Sequence, residues 1–115
     1  MMTIEETVTQ HVEEHPSVSD VLLEAYAITH GDRQATYGPP DQDFRRTADM
    51  WTALFGHLLR DGERFEPAHV AQAMILLKMS RQMHQQKRDN WVDVAGYARC
   101  GQICDDAAAI AEVSR

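Results

Sequence analysis

Two cations and two carboxylates lie close together in the chain, at spacings suited to holding a phosphate group. Lys78 and Arg81 are three residues apart, just after the apolar run VAQAMILL, and Asp89, Asp93 and Tyr97 follow at four-residue intervals. Steps of three and four put side chains on one helix face, so each set forms a stripe. The intervening turn is short and predicts an antiparallel hairpin. In that hairpin Arg81 lies level with Asp89 to Asp93, and Lys78 level with Asp93 to Tyr97. Two chemistries fit such a cluster. Lys78 and Arg81 can bind a phosphate or carboxylate, with Asp89 and Asp93 orienting them or holding a divalent cation. Alternatively, the charges form an ion-pair network that only fixes the hairpin's register.

The residues that would complete a site lie nearby in sequence or in the loop GDRQATYGPP. Arg33 and Tyr37 are more chemistry than a plain spacer needs, and Asn90 and Tyr97 flank the carboxylates. These four, with Lys78 and Arg81, are the candidate ligand-binding residues.

The elements that must position these groups are helices. No alternating β-branched or aromatic run exceeds three or four residues, which leaves almost no strand signal. Residues 1–16 read as an N-terminal arm or short helix with few apolar positions, and 17–115 as the bundle domain. Ser17 or Ser19 caps a helix running to about Thr29, with Val18, Val21, Leu22, Ala25 and Ile28 on one face. Gly31 fits a left-handed helix end, and the loop runs from Gly31 to Pro40. A third helix runs from about Asp41 to Leu59, with Phe44, Ala48, Trp51, Phe55 and Leu58 at helical spacing. Pro67 opens a fourth helix that reaches about Gln85; its all-round apolar stretch marks it as the central one. A fifth begins near Asp89 or Asn90, either a good cap, and continues to the C-terminus. Short connections favour antiparallel neighbours, giving an all-α antiparallel bundle of four to five helices.

Composition narrows the partners. The chain has 115 residues, enough for one modest core, so oligomerisation is expected to add stability. Eighteen acidic against eleven basic residues give a net charge of −7, which repels phosphate backbones and disfavours general nucleic-acid binding. No apolar run is long enough to span a bilayer, and the acidic N-terminus resembles no signal peptide. Cys100 and Cys104 are the two cysteines. They lack a second pair for a structural zinc site and read as small buried hydrophobes. A reducing cytoplasm is the expected setting. Gly96 and Gly101 mark a tight helix seam or a close ligand approach, and Met74, Met79 and Met83 read as core. His11 and His15 do not make an HExxH motif. His30, His57, His69 and His84 read as caps or surface groups.

The blocks GDRQATYG, FRRTADMWTALFG, VAQAMILLKMSR and RDNWVDVAGYA, in that order, resemble a family of small phage-encoded proteins of unassigned function. The likeness covers roughly residues 20 to 100. A looser one extends to a phage nucleotide-modification-associated domain, through Tyr37-Gly38, Lys78 with Arg81, and Asp93, Gly96 and Tyr97. More distantly the chain is similar to MazG-like all-α nucleoside triphosphate pyrophosphatases, which gather Mg²⁺ with E-x-x-E and E-x-x-D pairs. The chain has no clean equivalent of those pairs. Asp89 and Asp93 are four apart, and Glu24 is the lone acid of its helix.

These resemblances imply a host-cell cytoplasmic protein of nucleotide metabolism. Three functions stay open: a Mg²⁺-dependent nucleotide pyrophosphohydrolase, for which the resemblance implies Asp89 and Asp93 as catalytic residues and Glu24, Asp89 and Asp93 as Mg²⁺ ligands; a non-catalytic nucleotide binder or sponge; and a small oligomeric protein that binds a host protein. They differ in one geometric respect. Convergence of Glu24, Asp89 and Asp93 marks the hydrolase, a pocket with Arg33, Tyr37 and Lys78 marks the binder, and fully paired charges without a cavity mark the third.

Overall fold

The structure is a computed structural model that describes residues 1–14 and 20–114. The Ser17 or Ser19 cap, Val18 and His15 lie outside the described residues, as do the side chains of His11 and Arg33. Among the described residues every regular element is helical: α1 (Ile4–Glu14), α2 (Val21–His30), α3 (Asp32–Tyr37), α4 (Pro40–Phe55) with a 3₁₀ turn at Gly56–Leu58, α5 (Pro67–His84) and α6 (Arg88–Val113). The all-α bundle expected from the sequence is therefore present.

Local chemistry sets the helix starts. In α1 the Thr3 hydroxyl accepts from the Glu6 amide (3.0 Å) while the Glu6 carboxylate accepts from the Thr3 amide (2.8 Å). This reciprocal capping box holds a helix whose described side chains are all exposed. The cap of α2 is Asp20, whose carboxylate accepts from the Leu22 amide at 2.8 Å. Pro40 and Pro67 open α4 and α5, where a missing N–H costs nothing. At α5 the Glu66 amide donates to His69 Nδ1 at 2.8 Å, so His69 is a cap, as expected for the scattered histidines. Thr52 on α4 accepts from the Phe65 amide at 2.9 Å, tying down the α4–α5 connection.

Several expectations give way. The Gly31–Pro40 segment is largely helical, with α3 ending at Gly38 in a left-handed conformation (φ 81°), whereas Gly31 has φ −110°. The left-handed stop lies one short helix later than expected. On α2 the buried residues are Ala25 and Thr29, while Leu22 is 71% exposed and Ile28 42%. Polar Thr29 can go inside because its hydroxyl donates to the Ala25 carbonyl at 2.8 Å. The α4 helix stops at Phe55, and Phe55 and Leu58 are exposed. The central helix is α6, not α5. It buries Asn90, Val92, Tyr97, Cys100 and Cys104, whereas Leu76, Leu77 and Met83 of α5 face outwards.

The core is a thin layer between α4 and the α5–α6 hairpin. Phe44, Ala48, Val70, Ala71, Tyr97, Cys100 and Cys104 form it, with Trp51 set edge-on against Phe65 at its margin. The two α6 glycines serve two different seams. A methyl group at Gly101 would lie 3.3 Å from the Ala71 Cβ of α5, tighter than ordinary contact, and one at Gly96 3.6 Å from the Thr29 methyl of α2. Glycine inside a helix costs about 1 kcal/mol against alanine. Gly96→Ala should therefore raise stability by roughly 0.5–1 kcal/mol in urea unfolding, because its methyl fits. Gly101→Ala should bring no such gain, because Ala71 is fixed in a neighbouring helix.

Both cysteines are buried and unbridged, as expected. Burial, reinforced by repulsion from Cys100, Asp41 and Asp105, pushes the Cys104 thiol up from 9.0 to about 11. The native state thus holds this proton more tightly than the unfolded chain. Its contribution is complete below pH 9 and is lost as pH rises through 11. Unfolding titrations at pH 8, 9 and 10 should show a decline that Cys104→Ala flattens, together with negligible thiol labelling of native protein at neutral pH.

Candidate functional site

The hairpin of α5 and α6 forms as its spacing predicts, and it brings one of the two expected charge pairs together. Lys78 Nζ lies 2.9 Å from Asp93 Oδ2, with side chains only 16% and 25% exposed. At that depth the attraction is screened less than on the surface, and each partner offsets the other's loss of water. Arg81 and Asp89 do not make the second pair. Both are exposed, and neither forms an ion pair among the described residues. Arg81 projects from the last turn of α5, and Asp89 from the first turn of α6.

The reason lies in how the turn closes. The α6 helix starts at Arg88, before the expected Asp89 or Asn90 cap, and its N-cap residue Lys87 supplies no side-chain bond. Instead Gln82 of α5 accepts through its side-chain oxygen from the Lys87 amide and from Asn90 Nδ2, both at 2.9 Å. Asn90 is thereby buried as the clasp of the hairpin, so its polar group is already committed to structure.

The acids do not converge. Glu24 pairs with Arg88 through Oε2 and Nη1, and Asp93 with Lys78, which leaves Asp89 apart from both. Among the described residues, no group of three or more His, Cys, Asp or Glu side chains is placed to hold a metal ion. The Glu24–Asp89–Asp93 metal set read from the sequence is thus not assembled. Glu24 and Asp93 each face a cation of a neighbouring helix instead, and Asp89 points to solvent.

The remaining candidates lie along one seam beside α6. Asp93, Gly96 and Tyr97 line a small hollow under α2, and Tyr37, Gly38 and Phe44 line a second under α3 and α4. Thr29 and Cys100 border both. Each hollow is about 10 Å³, the space of a single water. Tyr97 packs against Phe44 with ring centroids 6.3 Å apart, so its ring belongs to the core. The Tyr37 ring is exposed, while its carbonyl accepts from Arg46 Nη2 at 2.9 Å. Arg33 sits in α3, and its side chain is outside the description. The expected loop therefore supplies Tyr37 to one end of the seam and leaves Lys78 and Arg81 beyond the other.

Two features were not visible in the sequence. Arg99 Nη2 donates to His30 Nε2 at 2.7 Å, and His30 Nδ1 donates to the Tyr26 carbonyl at 2.8 Å, closing the end of α2. Among the described residues the buried Arg99 Nη1 has no hydrogen-bond partner. The second is an open groove of about 790 Å³ where the start of α5 and the end of α6 meet α4, bordered by Arg45, Glu66, His69 and Asp105. Its lining comes from three separate stretches of chain, and no local spacing announces it.

The family model described as a domain of unknown function, DUF6378, matches residues 20–105. The chain is similar to the Gene 55 protein of Mycobacterium phage L5, 38% identical over 79 residues that cover 68% of this chain and 47% of that protein. It is likewise similar to the Gene 55 protein of Mycobacterium phage D29, 35% identical over 81 residues, 70% of this chain and 50% of that protein. The chain spans about half the length of these curated relatives. No solved structure matches. The matched stretch runs from the cap of α2 to the residue after Cys104, taking in α5, α6 as far as Asp105 and every residue of the core cluster; the chain belongs to the DUF6378 family, a domain of unknown function with phage relatives.

Proposed function

We propose that this domain binds a small phosphate-bearing ligand of the nucleotide class, non-catalytically, at the mouth of the α5–α6 hairpin. The observation that carries this reading is the unequal fate of two neighbouring cations. Lys78 is held in place by Asp93, while Arg81, one turn further on, stays exposed without an ion-pair partner among the described residues. An ammonium bound to one carboxylate oxygen keeps further N–H donors, and a guanidinium offers a planar fork suited to phosphate oxygens. In a chain of net charge −7 such a pair is a local exception. The exposed ring of Tyr37 offers a surface on which a base can stack.

The motif likeness to nucleotide-modification and MazG-like domains supports the same ligand class. Catalysis of the MazG kind draws no support from the acids, since Glu24 and Asp93 are each engaged by a cation. The hollow that Tyr37 lines has the size of one water and does not reach Lys78, so the pocket expected of a nucleotide binder does not support this reading, which places the ligand across the surface of the seam.

The test is a titration of the purified chain with ribo- and deoxynucleotides, with and without Mg²⁺, following thermal shift and phosphate release together. Binding should raise the melting temperature, and a ligand at a hundred times its Kd adds about 2.7 kcal/mol. Arg81→Ala should weaken binding about tenfold or more and leave the melting temperature of the free protein unchanged. Lys78→Ala should weaken binding and also cost roughly 1–2 kcal/mol of stability, because Asp93 is left half-buried and unpaired. Mg²⁺-dependent release of pyrophosphate or phosphate, abolished by the double change Asp89→Asn and Asp93→Asn, would overturn the non-catalytic reading. No thermal shift with any nucleotide would overturn the ligand.

A further inference from the structure

The α5–α6 hairpin has one covered side and one bare side. The covered side receives α4 through Phe44 against Tyr97, and α2 through Thr29 against Gly96. On the other side Ala68, Gln72 and Ile75 of α5 face Ala98, Gln102 and Asp105 of α6 across an open trough of about 260 Å³. Helical spacing carries the same stripe onward to Met79 and Met83 on α5, with Leu76 beside it, and back to Val94 and Trp91 on α6. Leu76 is 69% exposed, Met83 88% and Trp91 46%. The molecule is only 21 Å through its shortest dimension, about two helix layers. The hairpin is therefore an outer layer with an apolar exterior.

We infer that this face binds a second copy of the same chain, two hairpins closing into a four-helix layer about a two-fold axis. Three observations select a second copy as the occupant. First, the two ends of the face differ in bulk. Its open end carries the trough between small and polar side chains, and its closed end carries the large ones, Leu76, Met79, Met83 and Trp91. A two-fold axis through the middle of the face lays the closed end of each hairpin over the open end of the other, so that each trough receives the partner's bulky groups.

Second, the face suits an acidic chain approaching itself. The chain carries a net charge of −7, yet among these stripe residues Asp105 alone is charged. Two copies meeting here bring together methionine, leucine, tryptophan and glutamine. Third, the area suffices. Eighteen residues of α5 span about 27 Å, and two helices side by side about 20 Å, a flat footprint of about 540 Å² whose corrugated surface approaches the roughly 800 Å² that a standard interface buries per partner.

This inference does not rest on the ligand reading, because Lys78 and Arg81 stand away from the stripe. The test is light scattering and sedimentation equilibrium of the full chain at about 5 to 100 µM, with Trp91 as an internal reporter. The expected mass is twice the 13.1 kDa of the chain, with tryptophan emission shifting to the red and becoming more open to acrylamide on dilution. Leu76→Glu and Met83→Glu, both at exposed positions and so compatible with the folded hairpin, should weaken association at least a hundredfold while the helical circular dichroism is kept. Leu54→Glu, an equally exposed apolar position on α4, should leave the dimer intact. A monomer at 100 µM would overturn the proposal, as would a dimer broken by Leu54→Glu but untouched by Leu76→Glu and Met83→Glu.

Discussion

The close approach of α5 and α6 is the constraint on which the other parts of the molecule depend. It is set by the absence of a side chain at Gly101, which lets Ala71 come to contact distance. Once the helices are that close, Lys78 and Asp93 meet, Asn90 reaches Gln82, and Val70, Tyr97 and Cys100 present one continuous surface to α4. Without that approach the charged pair would sit in water and be worth little, and Phe44 and Ala48 would have no floor to pack on. The same contact explains why so few residues are fully buried. Small side chains let helices come near but bring little apolar area with them.

Much of this was legible in the sequence, for physical reasons that differ by element. The hairpin could be read because its partners are near in sequence and the helix repeat fixes which side chains meet. Lys78 against Asp93 followed from counting outward from a short turn. The core positions Phe44, Ala48, Cys100 and Cys104 could be read because a helix facing one neighbour keeps a strict apolar period. The order of burial was less legible. The apolar run in α5 reads as central, but Leu76 and Leu77 face outwards because this helix has neighbours on only part of its circumference. Hydrophobicity records what a residue tolerates, not which neighbour arrives.

The candidate site was half legible. Lys78 and Asp93 meet as expected, but whether Arg81 and Asp89 follow depends on side-chain reach and on where the turn closes. Gln82, a residue without special signal, decided that Asn90 goes inside and Asp89 stays out. The failure of Glu24, Asp89 and Asp93 to converge has a similar cause. Arg88 at the first position of α6 captures Glu24 across 64 residues of chain, a contact no local spacing encodes. The Arg99–His30 bond and the α4–α5–α6 groove escaped reading for the same reason, since each depends on helix placement.

The clasp at Gln82 also bears on the order in which the chain can acquire structure. It closes a loop of only a few residues between α5 and α6, so the entropy lost on closure is small. The partners of α2 and α4 lie much further along the chain, as Arg88 does from Glu24 and Cys104 from Pro40. The hairpin is thus the part of the chain able to organise first during folding, offering its surfaces as a template on which α4 and then α2 settle. A chain built this way concentrates its folding nucleus in its C-terminal half. During synthesis α5 and α6 leave the ribosome after α2 and α4, so the earlier helices must wait for the platform that orders them.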